Sequence, residues 1–273
     1  MMLSQFVPSV SRPFAAALLA AGLFATPALA QAEIAESTTP KLDVPFVPTP
    51  DDIVDHMLGV ANVTADDFVI DLGSGDGRIL IAAARDRGAR GFGVDLDPQR
   101  VNEARNNAEA AGVSDMVEFK QQDLFDTDFS HADVLTMYLL PRFNLQLRPR
   151  ILDELRPGTR VVSHDFDMAE WAPDRDDTLG YKRVFLWIVP AKVEGRWTIE
   201  ADGRSFDVDI TQKFQMIEGT ANVDGREVLL TGATLNGPDI SFTVDLGDGA
   251  RTLEGSVDGD RIEGAGGWQA TRG

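Results

Sequence analysis

Cysteine is absent, so neither a disulfide nor a thiolate metal site is possible. Histidine is scarce. His56, His131 and His164 share no metal-ligand spacing, each reads as structural, and no metal site is expected. Positive charge is short too. Twenty-five Lys and Arg stand against 44 Asp and Glu, a formal net charge of −19. An acidic surface repels phosphate backbones, and no lysine/arginine run supplies a local basic patch. Nucleic acid is therefore not an expected partner. Residues 14–25 form a 12-residue apolar run, where a bilayer span needs about 20. No stable membrane span is expected.

The chain does hold enough apolar material, 43% of 273 residues, for one large or two small domains with a real core. Residues 1–30 read as an export signal: Arg12, then the apolar run, then Ala28-Leu29-Ala30 as an A-x-A cleavage site. A periplasmic location is expected, with an uncleaved membrane anchor as the alternative. Residues 31–43 are small and polar and read as a linker. The run VPFVPTP (44–50) is forced extended by its prolines. It reads either as more linker or as a stiff flap over a ligand mouth, with the Thr49 hydroxyl facing it. Asp51 or Asp52 can cap a helix ending near Gly59.

The rest is organised around FVIDLGSGDGRI (68–79). A β-branched apolar strand runs into Gly73, Ser74, Gly75, Asp76 and Gly77, and a helix opens at Arg78. Glycines let a ligand approach the backbone, and a helix N-terminus points free N–H groups at it. A dinucleotide fingerprint needs G-x-G-x-x-G. Here the spacing is G-x-G-x-G, and Arg78 fills the last glycine position. Asp71 before the turn would repel a pyrophosphate but suits a cation, such as the ammonium of a methionine moiety. The stretch resembles motif I of class I S-adenosylmethionine-dependent methyltransferases, D-x-G-x-G-x-G.

Downstream the α/β alternation continues. A strand over 91–96 ends in Asp95 and Leu96. An acid there, about 20 residues past the turn, can hold both ribose hydroxyls. Asp97 caps the next helix, 98–111, with Pro98 in its first turn. A strand over 116–124 places Asp123 for an adenine amino group and Leu124 against the ring. Strands over 132–140, 159–166 and 181–190 and a helix over 144–155 complete this part. From 191 to 273 strand-like runs alternate with Asp-Gly and Asn-Gly pairs, the strongest short hairpin signals. A small β-barrel or β-sandwich is expected there, with Trp197 and Trp268 as core plugs, serving as an interaction or substrate-orienting module.

VPFVPTP, DLGSGDGRI, GVDLDP, DLF, YLLP and GTRVVSHDFDM occur in this order between 44 and 190. Together they resemble the methyltransferase family that includes the mitochondrial lysine methyltransferases of the ATP synthase c-ring protein and of the adenine nucleotide translocase. The resemblance implies a class I α/β fold with a mainly parallel seven-stranded sheet, S-adenosylmethionine as donor and a protein lysine as acceptor. It favours the flap reading for Val47 and Thr49. A lysine must lose its proton before attack, and Tyr138 and Asp165, at the ends of the fourth and fifth strands, are the candidates to assist. The chain departs from the mitochondrial members in its cleavable leader and its β-rich C-terminal part. The competing reading is an exported binding protein that keeps the fold without the catalysis. An NAD-dependent oxidoreductase fails on the turn spacing.

Overall fold

A computed structural model describes residues 46–273. The export signal, the linker, and Val44 and Pro45 of the proline run lie outside the described residues. The first element is helix α1 (Asp51–Val60), whose apolar side Ile53, Val54, Met57 and Leu58 is buried. Then β1 (Phe68–Leu72), α2 (Arg78–Arg87), β2 (Arg90–Asp95), α3 (Pro98–Ala110), β3 (Val117–Gln121), β4 (Val134–Met137), α4 (Pro141–Glu154), β5 (Arg160–His164), β6 (Arg175–Leu179) and β7 (Lys182–Ile188) follow.

These seven strands form one sheet in the order β3-β2-β1-β4-β5-β7-β6. Strands β1 to β5 pair in parallel, and β7 runs antiparallel to both neighbours. Buried strands covered on both faces read as continuous apolar runs, and β1 and β4 do so. Alternate residues serve opposite faces. Val69, Val134 and Val162 pack with α1, α2 and α3. Ile70, Leu135 and Val161 pack with Leu147 and Ile151 of α4 and with Trp171 and Trp187. The reversal of strand order between β1 and β4 opens a crevice at the C-terminal strand ends, where such sheets bind ligands.

Four boundaries differ from the sequence reading. Strand β3 stops at Gln121, and Asp123 instead caps a single 3₁₀ turn, Leu124–Asp126. Strand β4 stops at Met137, because Pro141 supplies the first residue of α4 three positions earlier than expected. Tyr138 therefore lies in the strand-to-helix loop. Strand β5 ends at His164, since Asp165 turns into the left-handed region at φ 62°. Strand β6, Arg-Asp-Asp-Thr-Leu, has no counterpart in the sequence reading. It is a polar edge strand that bonds only to β7.

The C-terminal part is a nine-stranded antiparallel sheet around one core. Its strands are β8 (Gly195–Ala201), β9 (Arg204–Lys213), β10 (Met216–Val223), β11 (Arg226–Leu229), β12 (Thr231–Asn236), β13 (Asp239–Asp245), β14 (Ala250–Asp258), β15 (Arg261–Gly264) and β16 (Gln269–Arg272). The order is β11-β10-β9-β8-β16-β15-β14-β13-β12. Trp197, Val208, Phe242, Ile262 and Trp268 share that core. At Asp202-Gly203 and Asp224-Gly225 both residues take positive φ, the conformation of a tight hairpin turn.

One hairpin breaks the turn rule. Between β9 and β10 the turn is Phe214-Gln215, with Phe214 at φ 55°. Its ring stacks on Trp171 at 6.0 Å, and the Arg148 guanidinium lies 5.4 Å from the ring centre. Gln215 Nε2 donates to the Ala172 carbonyl at 2.7 Å. A side chain that costs about 1 kcal/mol in the turn is thus kept for docking onto the first sheet. Phe214→Ala should lower stability by about 2 kcal/mol, less than a fully buried Phe would cost. Thermal unfolding of the variant beside the parent checks this.

Candidate active site

Three local devices build the crevice. The first is the glycine turn. Gly75 has φ 54°, and a Cβ there would come within 2.3 Å of the Phe46 ring. Gly77, at φ 82°, begins α2, and a Cβ there would strike Phe119 at 2.6 Å. The second is a pair of acids at strand ends. Asp71 is buried, and its Oδ1 accepts from Thr136 Oγ1 at 2.8 Å. Burial, with Asp95 and Asp76 nearby, pushes its carboxyl up to about 7. Asp95 accepts from the Gly75 N–H through Oδ2 and from the Asp97 N–H through Oδ1, both at 2.9 Å. Burial raises it too, against the pull of those two bonds.

The third device is a strap. Residues 46–50 cross the crevice mouth and are fastened at both sides. Arg78 donates to the Thr49 carbonyl at 2.9 Å and forks onto Asp76 through Nε and Nη2. Phe46 lies under the Arg100 guanidinium at 4.8 Å. The Thr49 hydroxyl, expected to face a ligand, instead meets His164 Nδ1 at 3.1 Å. Val47 is exposed on the strap and still lines the crevice. Burial lowers His164 to about 4, so its ring is neutral at pH 7.

Around this crevice of about 210 Å³ stand Asp71, Gly73, Ser74, Asp76, Asp95, Leu96, Asp123, Leu124, Thr49 and Tyr138. Gly75 and Gly77 shape its floor without lining it. Asp123 is exposed and capped onto the Phe125 N–H at 2.9 Å, with its carboxylate at the crevice edge. Asp165 does not line the crevice. It stands behind Tyr138, whose hydroxyl donates to its Oδ2 at 3.4 Å. Lys182 Nζ donates to the same oxygen at 2.6 Å, and the Arg183 N–H to Oδ1 at 3.0 Å. Burial pushes Asp165 up, but those bonds win and hold it below the usual carboxylate range.

Sequence reasoning gives no site role to Arg78, Phe46, His164, Thr136 or Lys182. Only Arg78 leaves a signal, by standing where a dinucleotide motif needs glycine. Among the described residues no cluster of His, Asp or Glu could hold a metal. No described helix is long and apolar enough to cross a membrane.

Residues 71–175 match the family described as the ANTKMT methyltransferase domain. A protein-lysine N-methyltransferase of Saccharolobus islandicus is 46% identical over 151 residues, covering 54% of this chain and 94% of that protein. The chain belongs to this family of class I S-adenosylmethionine-dependent methyltransferases. The mouse lysine N-methyltransferase of the ATP synthase c-ring protein is 32% identical, over 56% of the methyltransferase described here and 61% of its own length. A crystal structure of an RNA methyltransferase from Salinibacter ruber, in complex with S-adenosyl-L-homocysteine, is 55% identical with a TM-score of 0.53. It is covered over 96% of its length and covers 54% of this methyltransferase.

The residues present fit S-adenosylmethionine. Asp71 Oδ2 and Ser74 Oγ are buried and have no hydrogen-bond partner, and both residues line the crevice. Native proteins rarely leave such atoms unpaired. A carboxylate oxygen and a hydroxyl in want of donors and acceptors suit an amino-acid moiety. Because Arg78 fastens the strap to the glycine turn, Arg78→Ala should weaken S-adenosylmethionine binding about 10-fold, or 1.4 kcal/mol. Calorimetric titration would show it.

Proposed function

We propose that the protein transfers the methyl group of S-adenosylmethionine to the Nζ of a protein lysine. The observation that carries this reading is the Tyr138–Asp165 pair at the end of the crevice. Its carboxylate is held ionised by its bonds to Lys182 and to the backbone of Arg183. An ionised carboxylate with a phenol attracts a lysine ammonium and can take up its proton. The lysine specificity named for the relatives points the same way.

When bound, S-adenosylmethionine supplies a methyl already activated on a sulfonium. The chain has to hold the donor, align the acceptor and exclude water. We assign Asp71 and Ser74 to the amino-acid end, Asp95 and Leu96 to the ribose, and Asp123 and Leu124 to the adenine. Gly73, Gly75, Asp76 and Gly77 give the backbone cradle, and Thr49 and Val47 close the mouth. Asp165→Asn keeps the left-handed turn, which Asn tolerates. It should lower turnover about 30-fold while cofactor affinity changes less than about twofold, a barrier near 2 kcal/mol. Loss of cofactor binding in that variant would refute the assignment.

A second reading has one observation behind it, the RNA methyltransferase activity named for the Salinibacter protein. An RNA acceptor is disfavoured by the charge of −19. The deciding experiment uses methyl-tritiated S-adenosylmethionine with the full-length chain and a cell extract. Label recovered as methyllysine after acid hydrolysis supports the proposal; label confined to nuclease-sensitive material refutes it. Export is part of the proposal, on the strength of the 1–30 pattern, and N-terminal sequencing should then find Gln31 first.

A further inference from the structure

The chain has only two tyrosines, and both rings stand over one ammonium group. Lys182 Nζ lies 5.5 Å from the centre of the Tyr138 ring and 5.7 Å from that of Tyr181. It donates to Asp165 Oδ2 at 2.6 Å and to the Tyr138 hydroxyl at 3.4 Å. Tyr181 sits at the β6–β7 turn and is 88% exposed. A carboxylate, a phenol oxygen and two ring faces are the groups that recognise a lysine ammonium. Here a lysine of the chain itself fills the position.

The place matters as much as the chemistry. Tyr138 lines the crevice, while Asp165 and Lys182 stand immediately behind it. The Tyr138 ring also packs on His164 at 3.9 Å, and His164 holds Thr49 of the strap. The cation is therefore one residue removed from the crevice wall. Its Asp165 bond keeps it charged by raising its proton affinity. The ion pair is a fifth exposed on each side, so it is within reach of an exchanging cation.

We propose that Asp165, Tyr138 and Tyr181 form the seat of the acceptor's lysine ammonium, and that Lys182 occupies it as an internal stand-in which the acceptor lysine displaces. This rests on the lysine-acceptor reading above. One ammonium replaces another, so Asp165 is never left buried without a counter-charge. In the acceptor's absence the stand-in keeps the carboxylate neutralised. A lysine on a segment that can also pack on exposed Tyr181 would compete best.

The test is a calorimetric titration of n-butylammonium chloride, a lysine side-chain analogue, into the full-length chain saturated with S-adenosylhomocysteine. Lys182→Met should bind it at least about 10-fold more tightly than the parent. Adding Asp165→Asn to that variant should remove the gain. Unchanged S-adenosylhomocysteine affinity certifies the fold of each. A second measurement needs no variant. In the ¹⁵N-lysine-labelled parent, the Lys182 Nζ resonance should shift as n-butylammonium is added. No tightening in Lys182→Met, a gain that survives Asp165→Asn, or an unmoved Lys182 signal overturns the proposal. Methyllysine formation with no n-butylammonium response overturns the seat alone. Label in RNA alone overturns the lysine reading and the seat with it.

Discussion

Asp95→Ala abolishes measurable S-adenosylmethionine binding, with a loss of at least about 100-fold, or 2.7 kcal/mol. Each carboxylate oxygen already receives one backbone N–H, from Gly75 and from Asp97. Each keeps a lone-pair direction for a ribose hydroxyl, and a hydrogen bond to a charged acceptor contributes about 1.5–3 kcal/mol. Removing the side chain loses both acceptors and also frees the Gly75 N–H, so the cradle itself loosens. The neighbouring acid is the control. Asp97 caps α3 through the Gln99 N–H at 2.8 Å. Asp97→Ala should therefore cost about 1 kcal/mol of stability and leave affinity within about threefold. An isotherm for Asp95→Ala within that same margin would show that the ribose lies elsewhere.

Asp95 is legible in the sequence because its signals are local. A strand end, a glycine turn and a helix cap each announce themselves within a few residues, and the open α/β arrangement brings β1 and β2 side by side. The same holds for most hairpins of the second sheet, marked by Asp-Gly pairs. What is not legible lies in contacts between distant positions. Lys182 reads as the start of an apolar strand, and nothing near it in sequence shows the ion pair to Asp165. Strand β6 has no β-forming residues beyond Thr178 and Leu179, since an edge strand needs little burial. The Phe214 turn carries the wrong chemistry for a hairpin because Trp171 and Arg148 determine it. Thr49 does lie on the strap, but His164 takes its hydroxyl, and Asp165, expected in the crevice, stands behind it. Local rules fail where one part of the fold grips another.

Asp71→Asn should separate stability from binding in opposite directions. The native carboxyl is pushed up to about 7, from an ordinary value of 3.8. Between those values the folded chain holds a proton that the unfolded chain has released. Stability of the ligand-free protein therefore falls as pH rises through that window, and the full penalty is present above pH 7. A rise of that size corresponds to about 4 kcal/mol. Asn keeps the bond from Thr136 and cannot ionise, but its amide brings donors of its own into a buried site. The net gain at pH 8 is expected to be about 2 kcal/mol, and to vanish near pH 4, where the native acid is neutral in both states. Binding moves the other way. A bound cation stabilises the ionised form, so S-adenosylmethionine affinity of the parent should rise between about pH 6 and 8 as Asp71 gives up its proton. The Asn variant should bind at least about 30-fold more weakly at pH 8, roughly 2 kcal/mol, and show no such rise. Thermal unfolding without ligand and calorimetry with it, each at pH 6 and pH 8, measure both halves. A variant that is less stable at pH 8 and binds normally would mean that Asp71 serves the fold through Thr136 and meets no cation. A more stable, weakly binding variant would mean that the strand end carries a strained acid held for its ligand.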